Sequence, residues 1–168
     1  MERTIHILNE LESSGLIERY AIGGAMGAMF YSEAVLTEDL DVFVALKALP
    51  AGLISLSPIY DFLKARGAVE REEHLVIHGV PVQILPAYDA LTEEALAQAT
   101  EQPFGQTRVR VMRVEHLLAI ALKTGRAKDH ARVALLMEEA DLNATLLEEI
   151  IERHGLHPQW NRFRSQTP

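Results

Sequence analysis

One short acidic segment constrains the fold of this chain more than any other feature. Residues 38–44 have the sequence Glu-Asp-Leu-Asp-Val-Phe-Val, in which polar and apolar side chains alternate. Because successive side chains of a β-strand point to opposite faces, Asp39, Asp41 and Phe43 share one face of the predicted strand. The other face carries aliphatic side chains that predict contact with a core: Leu40, Val42 and Val44.

Asp39 and Asp41 are unfavourable neighbours unless a cation accompanies them. Two carboxylates side by side repel each other, and placing them on an apolar strand costs hydration. A divalent cation removes both costs, and magnesium prefers hard oxygen ligands of this kind. The alternative is a polar strand end whose carboxylates cap a loop or pair with arginines. The clean alternation of the strand and the glycines before it favour the metal site.

Gly23 and Gly24 predict a tight turn that joins a short strand over residues 19–22 to a helix beginning at Ala25. Free backbone N–H groups at the start of a helix are suited to binding phosphate. Glycines also serve turns that need positive φ angles, and this structural role is compatible with phosphate binding. A metal site beside a phosphate-binding turn is the minimum equipment for handling a nucleotide.

Hydrophobic periodicity predicts that helices and strands are interspersed along the chain. Strands are predicted at residues 19–22, 40–45, 73–78, 80–85 and 107–112, and a tight turn at His78-Gly79 joins the third and fourth as a hairpin. Helices are predicted at residues 4–11, 25–31, 57–67, 89–99, 114–121, 127–139 and 143–154. From Leu156 onward the periodicity is lost, which predicts partial disorder.

The composition bounds the class of protein. A chain of 168 residues supports one domain with a full core. We expect no membrane association and a cytoplasmic protein, because no apolar run could span a bilayer and the N-terminus has no signal-peptide pattern. The net charge of −8 argues against strong nonspecific binding to nucleic acid, which depends on neutralising phosphates. The absence of cysteine excludes disulfides and thiolate zinc sites.

Three motifs together resemble the nucleotidyltransferase superfamily of the DNA-polymerase-beta type. They occupy residues 21–25, 37–43 and 123–129, in that order. The third motif is similar to the C-terminal lysine-and-aspartate motif of small bacterial members, among them the abortive-infection toxin nucleotidyltransferases. The resemblance covers residues 17–140 and implies an α+β fold in which helices flank a small mixed β-sheet. The expected organisation is a sheet domain at 1–113, C-terminal helices packed on it at 114–155, and a partly disordered tail at 156–168.

The resemblance implies a role for each motif. Asp39 and Asp41 are implied to bind Mg²⁺ or Mn²⁺, which holds the triphosphate of an NTP. Lys123 and Asp129 are implied to be catalytic, with Lys123 contacting substrate phosphate. The residues implied to surround the nucleotide are Gly23, Gly24, Ala25, Thr37 and Gln83. The implied reaction is transfer of a nucleoside monophosphate from an NTP to an acceptor hydroxyl.

Structural roles remain open for several of these residues. Lys123 lies near the end of an apolar helix, where a lysine also complements the helix dipole, and Asp129 is favourable early in the next helix for the same reason. Thr37 could simply fix the turn before the aspartates. The basic residues between Arg126 and Arg132 could form a solvated face.

Three positions depart from the superfamily pattern and leave a second function open. Gln83 occupies the strand position of a third carboxylate, and an amide can offer oxygen to a cation but cannot accept a proton. Val35 stands where relatives often have arginine, and Ala25 where they have serine or threonine. The alternative is therefore a catalytically weakened module that binds nucleotide or a protein partner, for example in a toxin–antitoxin pair. The acidic net charge disfavours a third function, RNA modification.

Overall fold

The computed structural model describes residues 1–35, 37–46 and 55–166 and has an α+β fold. Within these residues the chain forms seven strands: β1 (Ile17–Ile22), β2 (Leu40–Leu46), β3 (Val69–Arg71), β4 (His74–Ile77), β5 (Val80–Pro86), β6 (Thr100–Phe104) and β7 (Thr107–Val111). It also forms eight helices there: α1 (Glu2–Ser13), α2 (Gly24–Ala28), α3 (Ser57–Lys64), α4 (Ala90–Ala97), α5 (Val114–Thr124), α6 (Ala127–Glu139), α7 (Ala144–Arg153) and α8 (His157–Gln166).

The strands form one mixed sheet in the order β3-β4-β5-β2-β1-β7-β6. The pairs β2–β5 and β1–β7 are parallel, and the others are antiparallel, including the predicted β4–β5 hairpin. Ile22, at the end of β1, lies opposite Val42 near the start of β2 and opposite Val111 at the end of β7. The end of β1, the start of β2 and the end of β7 therefore lie side by side, along the edge of the sheet that the strand ends form. The predicted mixed α+β architecture is confirmed.

The alternation in β2 places its side chains against two different cores. Leu40, Val42 and Val44 are fully buried in a cluster with residues of α1 and α3. Phe43 is buried on the opposite face, in a cluster to which α4, α5, α6, α7 and α8 contribute. The acidic face of β2 is therefore the face covered by the C-terminal helices. No helix in the described ranges is long and apolar enough to cross a bilayer.

Helix α8 forms where the sequence predicted partial disorder, after Leu156. The helix runs from His157 to Gln166, and Leu156 and Phe163 are buried in the core beneath the C-terminal helices. Trp160 stacks on Phe163 at a centroid distance of 6.0 Å. Apart from these few apolar contacts the segment is polar, so it has no continuous apolar stripe for sequence periodicity to detect. The division into three segments remains a prediction.

The sequence also did not predict the two edge strands of the sheet, β3 and β6. Strand β6 is the longer of the two. It pairs with β7 at the edge of the sheet and contains Pro103, which lacks a backbone N–H. Most of its residues are exposed or half-buried. An edge strand of this kind lacks the apolar alternation by which β2 was recognised.

Candidate functional site

Gly24 lies directly against Asp41 at the edge where β1 ends and β2 begins. Its φ of +57° is in the left-handed region, and a Cβ at this position would overlap the Asp41 carboxylate oxygen Oδ2. The Gly23 N–H donates to the backbone carbonyl of Asp41 at 3.0 Å, and a Cβ on Gly23 would lie 2.6 Å from the Phe43 ring. Both glycines are therefore required because α2 begins in close contact with β2.

Asp39 and Asp41 occupy different environments at this edge. Asp39 precedes β2 and is exposed, whereas Asp41 is half-buried within the strand. The Asp39 backbone N–H donates to Thr37 Oγ1 at 3.3 Å, so Thr37 fixes the turn before the aspartates. In residues 1–35, 37–46 and 55–166 neither carboxylate forms an ion pair. Direct pairing with arginine, the structural alternative for these acids, does not occur there.

Electrostatics at Asp41 favour the approach of positive charge. Burial raises the pKa of the Asp41 carboxyl above its ordinary value, and the neighbouring charge of Asp39 raises it further. The charges of Arg132, Lys128 and Arg126 act in the opposite direction but do not cancel the effect of burial. An ionised Asp41 is therefore stabilised by any further cation that binds beside it.

The basic residues near Asp41 lie at the start of α6: Arg126 is the N-cap, and Lys128 and Arg132 are in the first two turns. Asp129 is 1% exposed and accepts hydrogen bonds from the Arg126 side chain at 2.7 Å (Nε) and 3.2 Å (Nη2). It also accepts from the Arg126 backbone N–H at 3.2 Å and from Arg132 Nη1 at 3.4 Å. Burial acts to raise the pKa of Asp129, but the bonds and charge of Arg126 outweigh burial and hold the pKa below its usual value. Asp129 is thus a buried anion that holds two arginines.

Packing brings α6 toward the site. Val133 and Leu136 are fully buried in the same cluster as Phe43 and Ala28. Helix α6 also contacts α2, the helix that begins at Gly24. Ser32, just beyond α2, donates to Glu139 Oε2 at 2.5 Å. The helix that carries the arginines is therefore fixed against the element that abuts Asp41.

Lys123 has a different partner. Its Nζ lies 2.9 Å from Asp89 Oδ2, and Asp89 also caps α4 by accepting from the Thr92 N–H at 2.9 Å. The N–H of Ala87 donates to the carbonyl of Val44, so Asp89 follows the opposite end of β2 and β5 from Asp41. In the described residues Asp129 does not bond Lys123; its side-chain partners are Arg126 and Arg132.

Gln83 lies next to the acidic pair, Asp39 and Asp41, at the edge of the sheet that the strand ends form. It lies opposite Asp41 in the parallel register of β2 and β5 and is half-buried. Asp41 thus lies beside both Gln83 and Gly24, and Asp39, Gly23 and Ala25 adjoin these residues along the chain. Lys123 is placed with Asp89 instead. The contact of Arg132 with Asp129 was not predicted, although their helical spacing (i, i+3) was the available signal.

The oxygen atoms of Asp39, Asp41 and Gln83 fit one magnesium or manganese ion that is also bound by phosphate. In the described ranges, no group of three or more His, Cys, Asp and Glu residues could hold a metal ion by itself. Mg²⁺ in nucleotide sites is commonly held by one or two carboxylates together with substrate phosphates and water. Asp39 and Asp41 supply two such carboxylates, and Gln83 supplies a neutral oxygen. The chemistry of these donors is therefore compatible with an ion that arrives with an NTP.

Solved structures share this architecture. An antigenic nucleotidyltransferase-like protein from Paracoccidioides brasiliensis aligns at a TM-score of 0.55 and 14% identity, over 96% of this chain and 90% of that one. The chain has the nucleotidyltransferase fold. The antibiotic-resistance factor ANT(2'')-Ia, in complex with adenylyl-2''-tobramycin, aligns at a TM-score of 0.55 and 15% identity, over 99% of this chain and 98% of that one. The solution structure of ANT(2'')-Ia gives 0.54 and 14%, over 96% and 94%.

Sequence comparison adds no family to this result. No protein-family model matches the chain, and a search of curated proteins gives no match. At 14–15% identity the structural likeness establishes the nucleotidyltransferase fold, and the activity has to be argued from the site itself.

Proposed function

We propose that the protein is a metal-dependent nucleotidyltransferase, which moves a nucleoside monophosphate from an NTP to an acceptor hydroxyl. One observation carries the proposal: Asp39 and Asp41 stand at a sheet edge where the backbone of Gly24 abuts the Asp41 carboxylate. Glycine is required at this point because the main chain itself approaches the acidic pair. An acidic pair beside a glycine main chain can hold a cation and a polyphosphate at once.

Asp39 and Asp41 would hold Mg²⁺ or Mn²⁺ together with oxygens of the triphosphate. When bound, the ion polarises the phosphoryl group and neutralises charge that develops on the departing pyrophosphate. Asp41 suits this role because burial disfavours its ionised form until positive charge arrives. Gln83 would orient the ligand through its amide but would not accept a proton.

The acceptor hydroxyl requires a proton acceptor, and two carboxylates, Asp89 and Glu38, are candidates with different surroundings. Burial acts to raise the pKa of Asp89, but the Thr92 N–H and Lys123 outweigh it and hold that pKa below its usual value. Such a carboxylate is a weak base, and it is already paired with Lys123. Glu38 is exposed and adjoins Asp39 in sequence. We therefore propose Glu38 as the proton acceptor.

The acceptor class is proposed by analogy with one fold neighbour. ANT(2'')-Ia was solved with adenylyl-2''-tobramycin, a nucleotidylated aminoglycoside. Small polyhydroxylated molecules are therefore the first acceptors to test, followed by protein and RNA hydroxyls. Because the fold is shared at low identity, this choice orders the experiments and does not assign a substrate.

A second candidate function is a nucleotide-binding module without catalysis. The observation that favours it is Gln83, which stands opposite Asp41 and leaves the acidic edge without a third carboxylate from β5. Such a module would bind NTP and transmit the bound state to a protein partner, as one half of a toxin–antitoxin pair could do. It predicts nucleotide binding that depends on Asp41 but yields no product.

A transfer assay separates the two functions. The protein would be incubated with each of the four NTPs, Mg²⁺ or Mn²⁺, and panels of small-molecule, protein and RNA acceptors. Pyrophosphate release and transfer of α-phosphate label would be measured for the wild type and for Asp41→Asn. Product formed by the wild type and abolished in Asp41→Asn supports the transferase. Binding without product across all acceptors supports the module.

A further inference from the structure

We propose that Arg126 and Arg132 form a polyphosphate-binding subsite beside Asp41, and that the buried Asp129 is the residue that positions them. The ligand class is a chain of phosphates such as the triphosphate of an NTP. The inference rests on the proposed function only for the identity of the natural ligand. It assigns to these arginines the phosphate contact that the sequence motif suggests for Lys123.

The first argument is the way in which Asp129 holds the arginines. Asp129 is 1% exposed, although ionised carboxylates are rarely buried without strong partners. The Arg126 side chain that bonds it is 59% exposed, and the Arg132 side chain is half-buried, at 16% exposed. One buried anion therefore fixes two cations, each of which has a part facing outward.

The second argument is the supply of hydrogen-bond donors. An arginine has five N–H donors arranged as a planar fork that matches carboxylate and phosphate oxygens. The Asp129 carboxylate takes hydrogen bonds from Nε and Nη2 of Arg126 and from Nη1 of Arg132. In the described residues the other N–H groups of these two guanidiniums make no hydrogen bond, so they remain as donors for a ligand. A single carboxylate also leaves one of the two positive charges without a matching negative charge.

The third argument is location. Helix α6 contacts α2, and Gly24 at the start of α2 abuts the Asp41 carboxylate. Asp41 lies within range of the positive charges of Arg126, Lys128 and Arg132. The arginines are thus close enough to act on the proposed metal-binding carboxylate without forming an ion pair with it. A polyphosphate with a metal ion would match the charges of these groups, because its negative charges would face the arginines and its metal would face the aspartates.

Lys123 is a weaker candidate for the same contact. It forms an ion pair with Asp89 at 2.9 Å, which matches its single positive charge. Asp89 follows the end of β2 and β5 that is opposite to Asp41. Binding phosphate through Lys123 would require that pair to separate.

The test uses inorganic tripolyphosphate as the probe, titrated calorimetrically into the folded protein at low salt without added metal. Four single variants are compared with the wild type: Arg126→Gln, Arg132→Gln, Lys123→Gln and the control Arg162→Gln, which alters an exposed arginine on α8. We expect Arg132→Gln to weaken binding tenfold or more, Arg126→Gln to weaken it several-fold, and the other two to change it less than twofold. The inference is overturned if the wild type does not bind tripolyphosphate, or if Lys123→Gln weakens binding while both Arg126→Gln and Arg132→Gln leave it unchanged.

Asp129→Asn tests the positioning role. The amide keeps an acceptor but removes the charge that holds both arginines, so we expect weaker tripolyphosphate binding even where circular dichroism shows the variant fully folded. A purely structural Asp129 would lower the melting temperature and leave the dissociation constant of the folded protein unchanged. These titrations do not depend on catalysis. If tripolyphosphate binds through the arginines but no nucleotidyl transfer occurs, only the proposed function is contradicted. If transfer occurs but tripolyphosphate binding does not depend on the arginines, only the subsite is contradicted.

Discussion

The backbone of Gly24 occupies the space next to Asp41 so closely that a methyl group at residue 24 would overlap Oδ2 of the carboxylate. Gly24 also has a φ of +57°, which side chains other than glycine rarely adopt. The acidic strand and the glycine turn, separated by 16 positions in sequence, therefore form one structural unit. Any side chain at residue 24 has to move Asp41 or the start of α2.

Gly24→Ala is expected to impair both stability and ligand binding. A left-handed backbone at a residue with a Cβ costs roughly 1–2 kcal/mol, and the overlap with Asp41 adds to that cost. Gly79→Ala is the matched control, since Gly79 has a φ of +83° but open space around its Cβ position. Urea unfolding should show a larger loss for Gly24→Ala, and Mg-NTP affinity should fall only in that variant. Equal losses of stability with unchanged affinity in both would contradict the close contact.

Gln83→Asp is expected to change the metal dependence. A carboxylate opposite Asp41 adds a third hard oxygen donor with negative charge, so less Mg²⁺ should be needed for half-maximal activity or nucleotide binding. Without metal, the same substitution adds like-charge repulsion and should lower the melting temperature. Gln83→Glu serves as a second carboxylate of different reach. An Mg²⁺ titration identical to that of the wild type would show that residue 83 does not face the ligand.

Because His116 is buried, we expect the protein to lose stability on mild acidification. This side chain of α5 is fully buried, with Nε2 3.3 Å from Glu94 Oε1, and burial holds its pKa below the usual value despite the nearby carboxylate. The unfolded chain therefore takes up a proton first as the pH falls through about 6.5, the unperturbed value for histidine. The free energy of unfolding therefore decreases as the pH falls below about 6.5, by up to about 1.4 kcal/mol per pH unit.

Melting curves at pH 7.5, 6.5 and 5.5 check this prediction. His116→Gln should flatten the decline, whereas His6→Gln, in which the altered side chain is 71% exposed, should leave the decline as in the wild type. A decline that is identical in the wild type and in His116→Gln would assign the pH dependence to another group.

Phe163→Ala tests whether helix α8 is part of the core. Phe163 is 7% exposed and packs in the cluster that also contains Phe43. Removing a buried phenylalanine side chain typically costs about 3–5 kcal/mol. Met137→Ala, at a residue that is 41% exposed, should cost no more than about 0.5 kcal/mol. Chemical unfolding monitored by Trp160 fluorescence measures both, and equal small losses would mean that α8 is not packed in solution.

The sequence predicted the parts of the fold that have strong local signals. In β2 the alternation of Asp41 and Phe43 with aliphatic residues identified both the strand and its buried face. The hairpin at His78-Gly79 was predicted from its turn residues, and both have the positive φ that such a turn requires. A helix was predicted to begin at residue 143, and Asn143 caps α7 through Oδ1, which accepts from the Leu146 N–H at 3.1 Å.

The remaining features depend on contacts between distant segments. Helix α8 packs through a few apolar residues, so periodicity in the sequence did not reveal it. The partner of Lys123 could not be predicted either, because the ion pair with Asp89 spans 34 positions. The basic cluster around Arg132 was visible in sequence, but only the packing of α6 against α2 places it near Asp41.

The measurement that tests the central claim most directly is calorimetric titration of the wild type, Asp39→Asn and Asp41→Asn with each of the four NTPs in the presence of Mg²⁺. The account predicts that at least one NTP binds the wild type and that each substitution weakens its affinity tenfold or more while the protein stays folded. Unchanged affinity in both variants, or no binding of any NTP to the wild type, would contradict it.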